Sequence, residues 1–118
     1  MSELRDLRVH TCAMNARDLD TLVAQATNDA SCFCDGEWVG EGREAVRSAL
    51  EREFAANEDL IARLGTHRGA PAILEFDAGG TERGALRLVG GPGAGRFSEL
   101  RIEHAKPVLR TSVPEPSN

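Results

Sequence analysis

Apolar residues in the first part of the chain recur at three- and four-residue steps. Leu4, Leu7, Thr11 and Met14 fall on one side of a helix over residues 3–16. Asn15-Ala16-Arg17 interrupts that rhythm, and Asp18 can cap a second short helix that turns Leu19, Leu22, Val23 and Ala26 inward. The period then changes to two. Over residues 29–35 Cys32 and Cys34 share one face of a strand, and Phe33 and Asp35 the other. Gly36 turns the chain, and Glu37-Trp38-Val39 returns as a short strand. Gly42 opens a third helix with Glu44 in its first turn, where the backbone dipole favours negative charge. Its buried stripe is Val46, Ala49, Leu50 and Phe54, Arg47 and Glu51 can pair on the wet side, and Asn57 ends it. Strands follow over about 60–66, 71–77, 81–90 and 97–105.

Helices gathered at one end and hairpins at the other predict an α+β domain rather than a doubly wound parallel sheet. Residues 1–106 form that domain, and the proline- and serine-rich segment 107–118 reads as a flexible tail. At 118 residues the chain suffices for one core.

Charge narrows the partners. The net charge is −5, there is a single lysine, and no basic stripe is present, which argues against nucleic acid. No stretch is long and apolar enough to span a bilayer, and the charged start lacks the apolar run of a signal peptide. Three cysteines, an odd number, predict a reducing cytoplasm.

Three segments carry a resemblance. Met14-Asn15-Ala16-Arg17-Asp18-Leu19-Asp20-Thr21-Leu22 joins the first two helices, Asn28-Asp29-Ala30-Ser31 begins the first strand, and Val39-Gly40-Glu41-Gly42-Arg43-Glu44-Ala45-Val46-Arg47 begins the third helix. Together, in this order, they resemble the nuclear transport factor 2-like superfamily, which includes ketosteroid isomerase and the SnoaL-like cyclases. The stretch Gly69-Ala70-Pro71-Ala72-Ile73 and the 81–104 hairpin are also similar to SnoaL-like extensions of some bacterial sigma factors. The resemblance implies a cone-shaped, curved antiparallel sheet wrapped around the three helices, an apolar pocket and a dimer.

It does not carry over ketosteroid isomerase chemistry. That enzyme's tyrosine position falls on His10, its base on Cys34 and its second acid on Gly84, and the chain has no tyrosine. What remains for catalysis is His10, Cys34 and His104, with His10 and Cys34 as a thiolate–imidazole pair or as core residues. Met14, Cys32, Trp38, Phe54, Leu86 and Leu100 would line a pocket for a small, mostly apolar molecule, with Trp38 a lid or a core cover. Cys32, Cys34 and His10 lack a fourth ligand and a zinc-knuckle spacing, so neither a metal nor a cofactor is expected. Gly90-Gly91-Pro92-Gly93-Ala94-Gly95 joins two strands and reads as a turn, not a phosphate loop. The function expected is ligand binding, or isomerase, cyclase or hydrolase chemistry; the alternative is a non-catalytic dimerisation or regulatory module.

Alternation also predicts assembly. Ala72, Leu74, Phe76, Leu86, Leu88, Leu100 and Ile102 are sent to the helix side, and Ile73, Glu75, Ala85, Arg87, Val89 and Phe97 to the outer face. Of two registers for the last hairpin, one sets Arg87 against Glu99 and Arg83 against Glu103; the other sets Arg87 against Arg101. Charge pairing selects the first, and its apolar group of Ile73, Ala85, Val89 and Phe97 then predicts a homodimer through that face.

Overall fold

A computed structural model describes residues 2–3, 7–90 and 96–105. The elements are β1 (Ser2–Glu3), α1 (Arg8–Ala16), α2 (Leu19–Ala24), β2 (Ala26–Cys34), β3 (Glu37–Glu41), α3 (Arg43–Ala56), β4 (Ile61–His67), β5 (Ala70–Phe76), β6 (Glu82–Gly90) and β7 (Phe97–His104). The sheet runs β3-β2-β7-β6-β5-β4, with β1 added beside β6, and the helices lie against it. It is the α+β roll the sequence predicts, with one parallel pair, β2 with β7, inside an otherwise antiparallel sheet. The expected tail and the glycine run 91–95 fall outside the described residues.

The Asn15–Asp18 junction has a physical account. Arg17 adopts a left-handed conformation, φ 57°, and the amides of Arg17 and Asp18 donate to the carbonyls of Met14 and Ala13, closing α1. The Asp18 carboxylate then accepts from the Thr21 amide and hydroxyl at 3.2 and 2.6 Å, opening α2. Asn15 satisfies the edge strand β4: its Nδ2 donates to the Ala62 carbonyl at 3.0 Å and its Oδ1 accepts from the Ala62 amide at 2.7 Å. Arg17 donates to the carbonyls of Met14, Glu58 and Leu60. The helices are thus fastened to the far edge of the sheet by polar side chains.

Differences from the sequence expectation have local causes. Helix α1 starts at Arg8, because Ser2–Glu3 pair instead with Val89–Gly90 of β6. Ala26 begins β2 rather than ending α2. Strand β5 carries the opposite phase: Ile73 and Glu75 point inward beside Leu86 and Gly84, while Leu74 lies over Gly65 on the other face. Ile73 is wholly buried in the core, and period two carries Glu75 in with it.

The last hairpin takes the register that charge pairing rejects. Leu86 faces Ile102, Leu88 faces Leu100 and Arg87 faces Arg101. The repulsion is relieved by carboxylates that do not sit directly across the strand pair from either arginine. Arg101 bonds Glu99 along its own strand and stacks on Phe33, 4.2 Å from the ring centre, while Arg87 lies 3.9 Å from Glu103. Burying these two pairs of large aliphatic side chains outweighs surface ion pairs worth about 0–1 kcal/mol each. A bulge beyond Val89 then turns Phe97 inward, 1% exposed, into the core. The outer apolar group drawn for a homodimer therefore loses both Ile73 and Phe97.

Replacing Asn15 with Ala removes both bonds to Ala62. Urea unfolding is expected to show a loss of about 1–3 kcal/mol, with Asn15→Asp, which keeps the acceptor for the Ala62 amide, less affected.

Candidate functional site

Strand β2 ends at Cys34, and Asp35-Gly36 forms a two-residue turn into β3 with both residues at positive φ, 51° and 87°. This turn removes Asp35 from the alternation of the strand. Its amide donates to the Ile102 carbonyl, and its carboxylate faces the end of β7. There Asp35 Oδ1 accepts from the His104 amide at 2.8 Å, and Oδ2 lies 2.8 Å from His104 Nδ1. The other ring nitrogen, Nε2, lies 2.6 and 3.0 Å from the Glu53 carboxylate of α3. Glu53 in turn bonds Glu75 of β5, which is 1% exposed. Four side chains thus run from the surface into the core: Asp35, His104, Glu53 and Glu75.

Gly84 makes the innermost step possible. It sits opposite both Glu75 and His104, and a Cβ there would meet the Glu103 carbonyl oxygen at 2.6 Å and Glu75 Oε1 at 3.2 Å. Without a side chain, β6 leaves room for the buried carboxyl.

Burial lowers the pKa of His104, but its hydrogen bonds and the charges of Asp35 and Glu53 outweigh this and raise it to about 9. Its imidazolium bridges two carboxylates. Burial, reinforced by Glu53, pushes Glu75 up to about 8, so it remains a neutral acid at neutral pH and donates to Glu53. Charge alternates along the array. An anion at Asp35, a cation at His104 and an anion at Glu53 are backed by a neutral proton donor.

The other sequence-predicted residues are placed differently. His10 is buried with its ring 6.1 Å from that of Phe97. Phe97 lies beside Ala26 at the start of β2, whereas Cys34 at its end lies beside Ile102. The five residue steps along β7 from Phe97 to Ile102 span about 16 Å, so His10 and Cys34 form no thiolate–imidazole pair. The Cys34 thiol is pushed up, first by burial and then by the charges of Asp35 and Glu53, the reverse of an activated nucleophile. Cys32 is buried and raised to about 11 by desolvation. Met14, Cys32, Leu86 and Leu100 pack into the common core. Trp38 is 59% exposed on edge strand β3, so it covers neither the core nor any pocket among the described residues. Phe54 lies under the Arg17 guanidinium at 5.0 Å and lines a shallow groove of about 400 Å³ with Leu19, Glu51 and Ala55.

Only His104 among the candidate catalytic residues joins the array; Asp35, Glu53 and Glu75 were missed. Each left a trace. Asp35-Gly36 is a hairpin-turn dipeptide, Glu53 continues the Val46–Ala49–Leu50 stripe at helical spacing, and Glu75 follows Ile73 at strand spacing. For metal binding, Cys34, Asp35 and His104 hold one donor atom each within 4.8 Å of one another.

No protein-family model and no curated protein matches the chain. Solved structures do. A SnoaL-like protein of unknown function from Burkholderia thailandensis superposes with a TM-score of 0.64 at 20% identity, over 84% of this chain and 91% of that one. An NTF2-like protein of unknown function from an Exiguobacterium species gives 0.59 at 14% identity, over 85% and 98%. An uncharacterised cystatin-fold protein from Novosphingobium aromaticivorans gives 0.58 at 24% identity, over 90% and 99%. The chain has the nuclear transport factor 2-like, SnoaL-like fold. In this fold the array sits where the β2–β3 turn, the end of β7 and the last turns of α3 converge.

The buried acid gives a signed pH test. Glu75 keeps its proton in the folded chain up to about pH 8, while in the unfolded chain it ionises near 4.5. Between those values the unfolded chain binds fewer protons, so the Glu75 contribution to stability falls as pH rises, by at most about 1.4 kcal/mol per pH unit. Glu75→Gln preserves shape and the donor to Glu53 but cannot ionise. Unfolding midpoints should show the variant gaining on the wild type from acid to pH 8; a constant difference would contradict the buried neutral acid.

Proposed function

We propose that this protein acts on a small, mostly apolar molecule by proton transfer, with Asp35 and His104 as the reacting pair. One observation carries the reading: a carboxylate and an imidazole lie side by side at 2.8 Å, both part-exposed, with a buried carboxyl pair behind them. Asp35 is the accessible base. His104, its Nε2 held by Glu53, is the acid, releasing the proton on Nδ1 when a substrate oxygen displaces Asp35. Taking a proton from one atom and returning one to another is the elementary act of an isomerase or cyclase. Glu53 keeps the ring oriented, and Glu75 limits the charge that collects around it. The SnoaL-like fold is compatible with such a pocket, and the site residues carry the chemical argument.

The probe is 5-nitrobenzisoxazole, whose ring opens when a base takes its carbon-bound proton, the N–O bond breaking to release a phenolate. In the presence of a chelator, the wild-type chain should accelerate this by roughly 100-fold or more over buffer, with Asp35→Asn abolishing the effect. Absence of acceleration, or acceleration that survives Asp35→Asn, would favour the non-catalytic module instead.

A further inference from the structure

Cys34 ends β2, and its side chain lies on the inner face of the sheet, part-buried against the core. The turn that follows brings Asp35 beside it, with Sγ 3.9 Å from Asp35 Oδ2. His104 Nδ1 lies 2.8 Å from the same oxygen, and all three donor atoms fall within 4.8 Å of one another. Tetrahedral zinc, with bonds near 2.0–2.3 Å, requires donors about 3.3–3.6 Å apart. Two of the separations, 2.8 and 3.9 Å, lie either side of that range and the third is at most 4.8 Å, so side-chain shifts on the order of 1 Å bring the three donors to one ion. Glu53 completes the pattern. It holds the far ring nitrogen of His104 at 2.6 Å, as a carboxylate behind a zinc-bound histidine does, fixing the ring with Nδ1 directed at the ion.

We propose that Cys34, Asp35 and His104 form a three-ligand site for a zinc-class divalent ion, leaving a fourth position open to water or a substrate oxygen. Thiolate, imidazole and carboxylate together suit zinc over magnesium or calcium, which prefer oxygen alone. Three protein ligands with an open position is the arrangement of catalytic rather than structural zinc. The part exposure of Asp35 and His104 gives the ion a way in. On binding, the ion displaces the thiol proton of Cys34 and the Nδ1 proton of His104, so two protons leave for each ion bound. Three negative groups, the Cys34 thiolate, Asp35 and Glu53, then surround a dication. This set differs from the Cys32–Cys34–His10 combination visible in the sequence, whose Cys32 is fully buried and whose His10 lies at the opposite end of the strand pair.

The inference stands apart from the acid–base reading, which is tested with chelator present. Cobalt(II) added to the full-length chain serves as the optical probe. Wild type should develop a thiolate-to-cobalt charge-transfer band and intense four-coordinate visible bands, reversed by stoichiometric zinc. Cys34→Ser should abolish the charge-transfer band and Cys32→Ser should retain it. Glu53→Gln should keep the band while weakening zinc affinity 10- to 100-fold in chelator competition, with circular dichroism confirming the fold of each variant. No charge-transfer band in wild type, or a band that persists in Cys34→Ser, overturns the site.

Discussion

The His104 imidazole ties together three segments far apart in sequence. Through Asp35 it holds the β2–β3 turn, through Glu53 the last turns of α3, and its own backbone closes β7. The parallel pairing of β2 with β7 brings that turn to this strand end, since Cys34 lies beside Ile102 and the Asp35 amide bonds the Ile102 carbonyl. A ring held at both nitrogens by carboxylates from different elements cannot rotate without losing a charge-assisted bond. The meeting point of the β2–β3 turn, the end of β7 and the last turns of α3 is therefore held in one shape by these three side chains.

The cost of that arrangement falls on β5 and β6. Glu75 must enter the core, and it does so opposite a glycine and as a neutral acid. A buried carboxylate beside Glu53 would set two like charges in a poorly solvated place; protonation removes one of them. Local rules fail here together: a glutamate occupies a core-facing strand position, a glycine interrupts a central strand, and a second glutamate sits in the apolar stripe of α3. Violations that coincide in one place are what a functional site imposes, and they support the reading of this array as one.

Much of the fold was legible from side-chain periodicity. The three helices, the Asp18 cap, the β2–β3 hairpin and the four late strands follow from spacing and turn residues. The registers were less legible, because exposed charge pairs favour one hairpin register while buried aliphatic pairs decide for the other. Arg101 finds Glu99 and Phe33 as partners on its own side, so opposing Arg87 carries little penalty. For the site, His104 was visible as an inward-facing strand-end residue. Its partners were not, because Asp35 lies 69 residues and Glu53 51 residues away, and only the parallel crossover brings them to it. Cys34 drew notice as a nucleophile, yet its surroundings are negative, which suits a cation better than a free thiolate.

The whole array turns on His104 being an imidazolium held between Asp35 and Glu53. Long-range ¹⁵N–¹H correlation spectra of the metal-free protein at about pH 7.5, with His104→Asn to assign the ring, test it directly. Protons are expected on both Nδ1 and Nε2 of His104, persisting well above the usual histidine range because its pKa is raised to about 9. A neutral ring at that pH, with one nitrogen bare, would contradict it.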